Sequence, residues 1–472
     1  MSRESSLVKN TAILAIGTLG PKIIAVISLP ILTAYLTKLE YGSYDLIITL
    51  VSLLLPVATL QIQSAAFRFL IECRGDKDES SRIVSNIFIV TIPITIIVVV
   101  LVFIFFPSLN FINRCLVATY YFIDIIYLAF QQITRGLSHN LQYSKAAVIL
   151  SFINMLLIVF LVAGVKLGLT GVLIASNISC LISSIYLFNV IKSDVSFNVV
   201  KYYSPSTIKE MLNYSWPMVP NNLSNWVLGL SDRVVITAAL GIEANAVYAV
   251  AQKIPNLFVI LQSTFTLAWQ ENASIASADE DSISYYSKIY DTLITFLSTG
   301  LCCLIAVTPL IFRLLIRGNY DEAYRQMPIL YLGMLFNCLG AFLGGIYVAK
   351  KEIKSVGLTT ALAAICNLII DILLVKRIGI YAGSISTLIS YFLLTTFRML
   401  DLHKKYGIRY KYKKILGLLL IAILVASLSY TRRLLSDIIN AIIAFPLFFF
   451  ANKSLLLSSI LAIKKFIKQE ND

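Results

Sequence analysis

"LGPKIIAVISLP", residues 19–30, carries one charge, Lys22, and two prolines, Pro21 and Pro30, inside an apolar run from Thr11 to Thr33. A run of about 20 apolar residues is long enough to cross the hydrocarbon core of a bilayer. An ammonium near its midpoint costs about 3 kcal/mol or more on insertion. A proline inside a helix removes a backbone donor. A membrane helix keeps both where one face meets water or a partner rather than lipid.

The rest of the chain supports the membrane reading. Its 472 residues are 58% hydrophobic and 14% charged, with a mean hydropathy of +0.83. A soluble domain carries about 25% charged residues, so this chain cannot cover itself with polar surface in water. The net charge of +14 does not point to nucleic acid. The basic residues gather at the ends of apolar runs, where they orient helices in a membrane. Seven cysteines include no C-x-x-C pair and most lie inside apolar runs, as small buried hydrophobes do. The two histidines, His139 and His403, offer no metal-ligand spacing. The chain contains no Gly-Lys dipeptide and hence no P-loop, so ATP is not an expected partner.

Fourteen runs are long enough to span: near 11–33, 43–65, 83–106, 112–133, 146–165, 170–191, 214–240, 245–270, 289–315, 326–348, 355–375, 378–398, 414–430 and 434–451. The first is read as a retained helix, because no small-residue cleavage site follows a short apolar core. The longest connections, 192–213 and 271–288, are too short for a soluble domain. The tail from Lys453 to Asp472 sets Lys464, Lys465 and Lys468 against Leu461, Ile463 and Phe466, the pattern of a surface helix. With the N-terminus inside, 26 of the 39 Lys and Arg fall in cytoplasmic segments, 10 in external ones and 3 within helices. That asymmetry predicts both termini in the cytoplasm. The basic external loop "RGNYDEAYR" (317–325) runs against it.

The sequence also repeats. "LTAYLTKLEYGSYDL" (32–46) and "ITAALGIEANAVYAV" (236–250) share T-A-x-L, at 33–36 and 237–240. They also share a tyrosine, Tyr44 and Tyr248, at the same offset of 204 residues. "NMLLIVFLVAGVKLGLTG" (154–171) and "NLIIDILLVKRIGIYAG" (367–383) form a second pair. In each, an asparagine opens an apolar run that closes in a glycine turn. The expected architecture is an all-α membrane protein of two six-helix bundles related by a parallel repeat, plus two C-terminal helices. The corresponding lobes are 1–212 and 213–412, with 413–472 holding the last two helices and a basic tail.

"LPILTAYLTKLEYGSYDL", "LSDRVVITAALGIEANAVYAVAQKIPN" (230–256) and "RLLIRGNYDEAYRQMPILYLGMLF" (313–336) resemble helix junctions of the Wzx-type O-antigen and capsular polysaccharide flippases. These belong to the superfamily that also holds the lipid II flippases and the MATE exporters. The resemblance implies two bundles facing each other in a V around a cavity that opens alternately to the two sides. It implies an oligosaccharide on undecaprenyl diphosphate as cargo, moved from the cytoplasmic to the outer leaflet of the bacterial inner membrane without covalent chemistry. Membrane lipids and polysaccharide polymerase or chain-length machinery are the partners that go with this reading. No cofactor is expected beyond a coupling H+ or Na+ gradient.

The intramembrane charges are the candidate site. Lys22 lies about 16 Å into its run, at mid-bilayer. It either faces a cavity or is paired or snorkelled. Helix 7 carries Pro217 and Pro220 near its start, so interrupted helices fall at corresponding places of both halves, as around a transport site. In the related lipid II flippases, cations on helices 1 and 8 line the central cavity. The resemblance puts Lys22 and Lys253 in similar places, lysines where those flippases have arginines. Arg233 either adds to this set or ties helices together. Asp124, central in "YYFIDIIYL", is the carboxylate for ion coupling, or else a partner of Lys22 or a tyrosine. Asp371, near Lys376 and Arg377, reads as structural. Gly340-x-x-x-Gly344 permits close helix packing. The rival function is a MATE-like exporter of small cationic compounds, which would want carboxylates where this chain has the deep Lys22.

Overall fold

The protein is described here by a computed structural model covering residues 3–106, 109–277 and 279–457. Those residues form helices and short connections, with no strand among them. In chain order the helices are α1 (Arg3–Tyr35), α2 (Lys38–Thr59), α3 (Ile62–Glu72), α4 (Lys77–Phe105), α5 (Phe111–Gly136) and α6 (Asn140–Ile158). α6 continues as a π-helical turn, Val159–Gly164. Then come α7 (Gly168–Ile191), α8 (Val199–Tyr202), α9 (Pro205–Ser215), α10 (Met218–Leu240), α11 (Ile242–Ala276) and α12 (Ser282–Leu315). The last five are α13 (Asp321–Ala349), α14 (Ile353–Ile378), α15 (Tyr381–Tyr406), α16 (Tyr412–Ser429) and α17 (Leu434–Ala451).

Twelve of the described helices are long and apolar enough to cross a membrane, against the fourteen expected. α10 falls short because, although long, it carries Asn221, Asn222, Asn225, Asp232 and Arg233. The side chains of the expected span 245–270, on α11, fall partly outside the described residues. The chain is a multi-pass membrane protein. The surface helix expected for the tail lies largely outside the described residues.

The prolines do not break helices as the sequence suggested. α1 runs through Pro21 and Pro30. Pro217 caps α10 and Pro220 stands in its first turn, where backbone donors have no intrahelical partner to lose. The break occurs where no proline predicts it. Leu60 and Gln61 are both left-handed, φ 47° and 56°, and separate α2 from α3. Each costs a non-glycine residue about 1 kcal/mol. The connection 271–288 is also mostly helix, because α11 continues to Ala276 and α12 begins at Ser282.

Helix boundaries recur at the offset of the sequence repeat. Adding 204 to Lys38 and Glu72, the outer ends of α2 and α3, gives Ile242 and Ala276, the ends of α11. The second repeat recurs in bonding. Asn154 of α6 donates to Ser179 of α7 (3.2 Å), and Asn367 of α14 donates to Ser386 of α15 (3.3 Å).

The chain divides into two compact units, one holding the chain to Ala249 with Leu315–Gly318, the other Val250–Leu314 with the chain from Asn319. In the first, α1 lies against α6 because Gly17 and Gly20 leave room for Ser144 and Val148. Two apolar clusters fill this unit. One joins α2, α4, α5 and α7 around Ile47, Val51, Tyr121 and Leu173. The other joins α3, α4, α5 and α7 around Ile62, Ala66, Phe130 and Leu187. The segment after α7 is strapped onto the start of α4. Tyr202 donates to Asp78 (2.5 Å), and Asn86 donates to the Tyr202 carbonyl and accepts from the Ser204 amide (both 2.9 Å). In the second unit α13 packs on α14, α15 and α16. There α17 is tied to α12 by Asn452 donating to Thr299 (2.9 Å).

Candidate transport site

Lys22 is exposed on α1 and has no hydrogen bond or ion pair among the described residues. At 100° per residue, α1 divides into three sectors. Gly17, Gly20 and Ser28 face the side that α6 covers. Ile23 and Ile27 form an exposed apolar sector suited to lipid. Thr18, Lys22 and Ala25 form a second exposed sector, small and polar. The ammonium therefore does not share a face with the exposed isoleucines. It is not paired with Asp124 either, which removes one of the alternatives the sequence left open.

Asp124 is half-buried in α5, with no hydrogen bond or ion pair among the described residues. Tyr120, Tyr121, Tyr127 and Cys180 lie within electrostatic range of its carboxylate. The Tyr121 hydroxyl is fully buried and also without a hydrogen-bond partner among the described residues.

Arg233 is placed differently from Lys22. It is buried, and its guanidinium Nη1 lies 3.0 Å from Asp45 Oδ1 of α2. Nη1 also donates to Thr49 Oγ1 at 3.4 Å. Two turns away, the Trp226 indole N–H donates to the Thr49 carbonyl (3.0 Å) and Ser52 Oγ (3.1 Å). Asn245 Nδ2 donates to the Gly42 carbonyl (3.2 Å) and Asp45 Oδ2 (3.4 Å). These bonds lay α10 along α2, a spanning helix, so α10 runs through the membrane layer despite its lower hydropathy. Asp232 accepts from the Tyr248 hydroxyl at 2.6 Å. Lys253 is half-buried in α11 and belongs to the second unit.

Two features escaped the sequence reading. The span 378–398 put Arg398 at a helix end, yet α15 continues to Tyr406 and buries it. Its guanidinium donates to the Gly340 carbonyl (2.7 Å), the Val356 carbonyl (3.2 Å), Thr359 Oγ1 (2.9 Å) and Thr360 Oγ1 (3.0 Å). No carboxylate pairs with it among the described residues. The Gly340-x-x-x-Gly344 spacing was the available signal. A Cβ at Gly344 would sit 2.9 Å from Arg398 Nη1, so these glycines make room for a guanidinium as well as for a helix. The second feature is an apolar groove of about 800 Å3 in the second unit, walled by Phe258, Phe265, Phe296, Phe445, Phe448 and Leu455 of α11, α12 and the α17 end. No sequence pattern marks it, because its walls are ordinary membrane-helix residues.

The chain matches the model of a family described as polysaccharide biosynthesis protein over residues 7–271. A search of curated proteins gave no match. Among solved structures, the fold is similar to the lipid II flippase MurJ in an inward closed conformation. That match has 16% identity and a TM-score of 0.65, and covers 94% of this chain and 99% of that one. It is also similar to an inward-facing MATE multidrug resistance transporter of the MOP superfamily (15% identity, TM-score 0.59, 85% and 96% covered). A MOP superfamily transporter from Pyrococcus furiosus matches at 15% identity and TM-score 0.56, with 84% and 96% covered. At these identities the structures establish a shared all-α fold. The family match takes in more than half of the chain, from the helix of Lys22 to that of Lys253, and the chain belongs to the polysaccharide biosynthesis protein family.

Proposed function

We propose that the chain is a flippase for an undecaprenyl-diphosphate-linked oligosaccharide, an O-antigen or capsule repeat unit. It carries this cargo from the cytoplasmic to the outer leaflet of the bacterial cytoplasmic membrane by alternating access. The observation that carries the reading is Lys22, an ammonium without a partner among the described residues, on a small, polar sector of a spanning helix. A diphosphate leaving water must replace its lost hydration, and a fixed ammonium does so where attraction is several-fold stronger than in water. Lysine serves as a point charge without demanding bidentate geometry. Lys253 is the second cation of this reading. Arg233, already engaged by Asp45, holds α10 in place.

The apolar groove favours a lipid-linked cargo over a small cation, since a polyprenyl chain needs an apolar path. The polysaccharide biosynthesis family supports the same choice. Both termini are assigned to the cytoplasm from the charge count. Asp124 is the group we assign to coupling with an H+ or Na+ gradient.

The test is complementation of surface polysaccharide at matched protein abundance. Lys22→Arg should retain much of the export, whereas Lys22→Ala and Lys22→Glu should lose it. Export by Lys22→Ala at the parent level would overturn the reading. Resistance to cationic compounds that rises with Lys22→Glu would favour the exporter.

A further inference from the structure

Three amide side chains on one membrane helix are not used by the described residues of the first unit. Asn221, Asn222 and Asn225 of α10 make no hydrogen bond among the described residues. Asn221 and Asn225 are exposed and Asn222 is half-buried. An exposed amide without a partner is poorly tolerated in hydrocarbon, where each lost hydrogen bond is costly. These residues therefore face water or a polar ligand for at least part of the transport cycle.

Their arrangement is specific. At 100° per residue, Asn221, Asn225, Gly229 and Asn222 fall within one quadrant or so of α10, with Trp226 at its edge. Leu223, Val227 and Leu230 occupy the opposite side. Gly229 is exposed, and nothing lies within 4 Å of where a Cβ would stand. The stripe is thus a row of amides ending in a gap. Trp226, anchored through its indole N–H on Thr49 and Ser52, fixes the rotation of the helix and so the direction of the stripe.

The depth is also informative. The repeat offset of 204 maps Lys22 onto Trp226, within the stripe (22 + 204 = 226). Lys22 stands 13 residues before the end of α1 at Tyr35, about 20 Å at 1.5 Å per residue. Asn221 and Gly229 stand 19 and 11 residues before the end of α10 at Leu240, about 28 and 16 Å. Lys22 thus falls within the depth range of the stripe, nearest to Asn225, and in the same unit.

We propose that Asn221, Asn222 and Asn225 form a glycan-recognition stripe that binds hydroxyls of the oligosaccharide while Lys22 meets the diphosphate. This rests on the flippase reading above and extends it to the sugar. An amide presents two donors and one acceptor oxygen, and each sugar hydroxyl both donates and accepts, so the two match in either sense. Neutral amides also suit a cargo that must be released, because hydrogen bonds between uncharged groups are weaker than charge-assisted ones. The gap over Gly229 gives a pyranose ring the room that a larger side chain would fill.

The experiment uses the full chain in lipid nanodiscs and two probes. One is the undecaprenyl-diphosphate-linked oligosaccharide extracted from cells that use this chain. The other is sugar-free undecaprenyl diphosphate. Asn221→Ala with Asn225→Ala should weaken binding of the sugar-bearing probe by about tenfold or more and leave the sugar-free probe unchanged. Gly229→Leu should do the same by occlusion, and Asn225→Gln should recover part of the loss. Lys22→Ala should weaken both probes. Equal affinity of the double variant and the parent for the sugar-bearing probe would overturn the stripe while leaving the flippase reading intact. An equal loss for both probes would overturn it too, because the asparagines would then be serving helix packing. Failure of the parent to bind either probe would sink the flippase reading, and the stripe with it. Alanine and leucine raise the hydropathy of α10, so insertion of these variants is favoured.

Discussion

Arg233 Nη1 and Asp45 Oδ1 lie 3.0 Å apart, with both side chains more than nine-tenths buried, and join α10 to α2. Arg233 belongs by sequence repeat to the second half of the chain, yet it packs in the first compact unit. Breaking a buried pair strands one charge, at a cost of about 3 kcal/mol or more. Arg233→Ala and Asp45→Ala should each lower the thermal midpoint of the detergent-solubilised protein. Arg233→Met with Asp45→Leu should recover most of that loss. A double variant no better than the worse single one would show that the pair is not the source of the effect.

Arg398 should not tolerate lysine. Its guanidinium serves four acceptors on α13 and α14 at once, which a single ammonium with three donors cannot span. Arg398→Lys should cost about 2 kcal/mol or more through unmet acceptors. Gly344→Leu should cost at least as much, by driving a side chain into the guanidinium. Thermal unfolding of purified protein measures both, and unchanged midpoints would remove the lock.

Lys22 and Asp124 are not paired, so their substitutions should not compensate. Lys22→Ala with Asp124→Ala should export no better than Lys22→Ala alone. Asp124→Asn alone should blunt the response of export to an imposed proton or sodium gradient without loss of protein, and Asp371→Asn serves as the comparison at a second, fully buried carboxylate. Rescue by the double change would mean that the two groups meet during the cycle.

Glu352, in the connection before α14, accepts from the Tyr406 hydroxyl and from Lys405 Nζ (2.9 Å). Those bonds, the tyrosine first, lower its pKa from 4.5 to about 2. A depressed carboxylate pKa stabilises the fold above the ordinary value, and that stability is lost as pH falls through the folded-state value. The thermal midpoint should therefore decline between about pH 4.5 and pH 2, with Glu352→Gln flattening that part of the profile. An identical profile in the variant would assign the decline to other groups.

The orientation is open to thiol labelling once the seven native cysteines are replaced. Ser193→Cys should be shielded from an impermeant reagent in intact cells and Asn319→Cys labelled, both positions being exposed. Labelling at Ser193 without permeabilisation would reverse the assigned topology.

The sequence by itself determined the class of this protein. Apolar runs of bilayer length are a local property, and so are T-A-x-L at 33 and 237 and the asparagines at 154 and 367. Runs and repeats therefore predicted spanning helices and their approximate ends, and the helix-junction stretches carried the resemblance to the family. The proline reading went wrong because a proline's effect depends on its place within a helix. At 217 and 220 the prolines begin α10, while the break at Leu60–Gln61 is held by surroundings that no local propensity records. Partnership was decided only by the tertiary structure. Lys22, Arg233 and Arg398 are all cations in apolar stretches. One is left exposed without a partner among the described residues, one is matched by a carboxylate 188 residues away, and one is held by carbonyls and hydroxyls of α13 and α14. The same holds for the asparagines of α10, whose lack of partners among the described residues is visible only once the neighbouring helices are in place. A charge or an amide in a membrane carries a cost that the sequence announces, but whether protein or cargo meets it depends on which helices pack beside it.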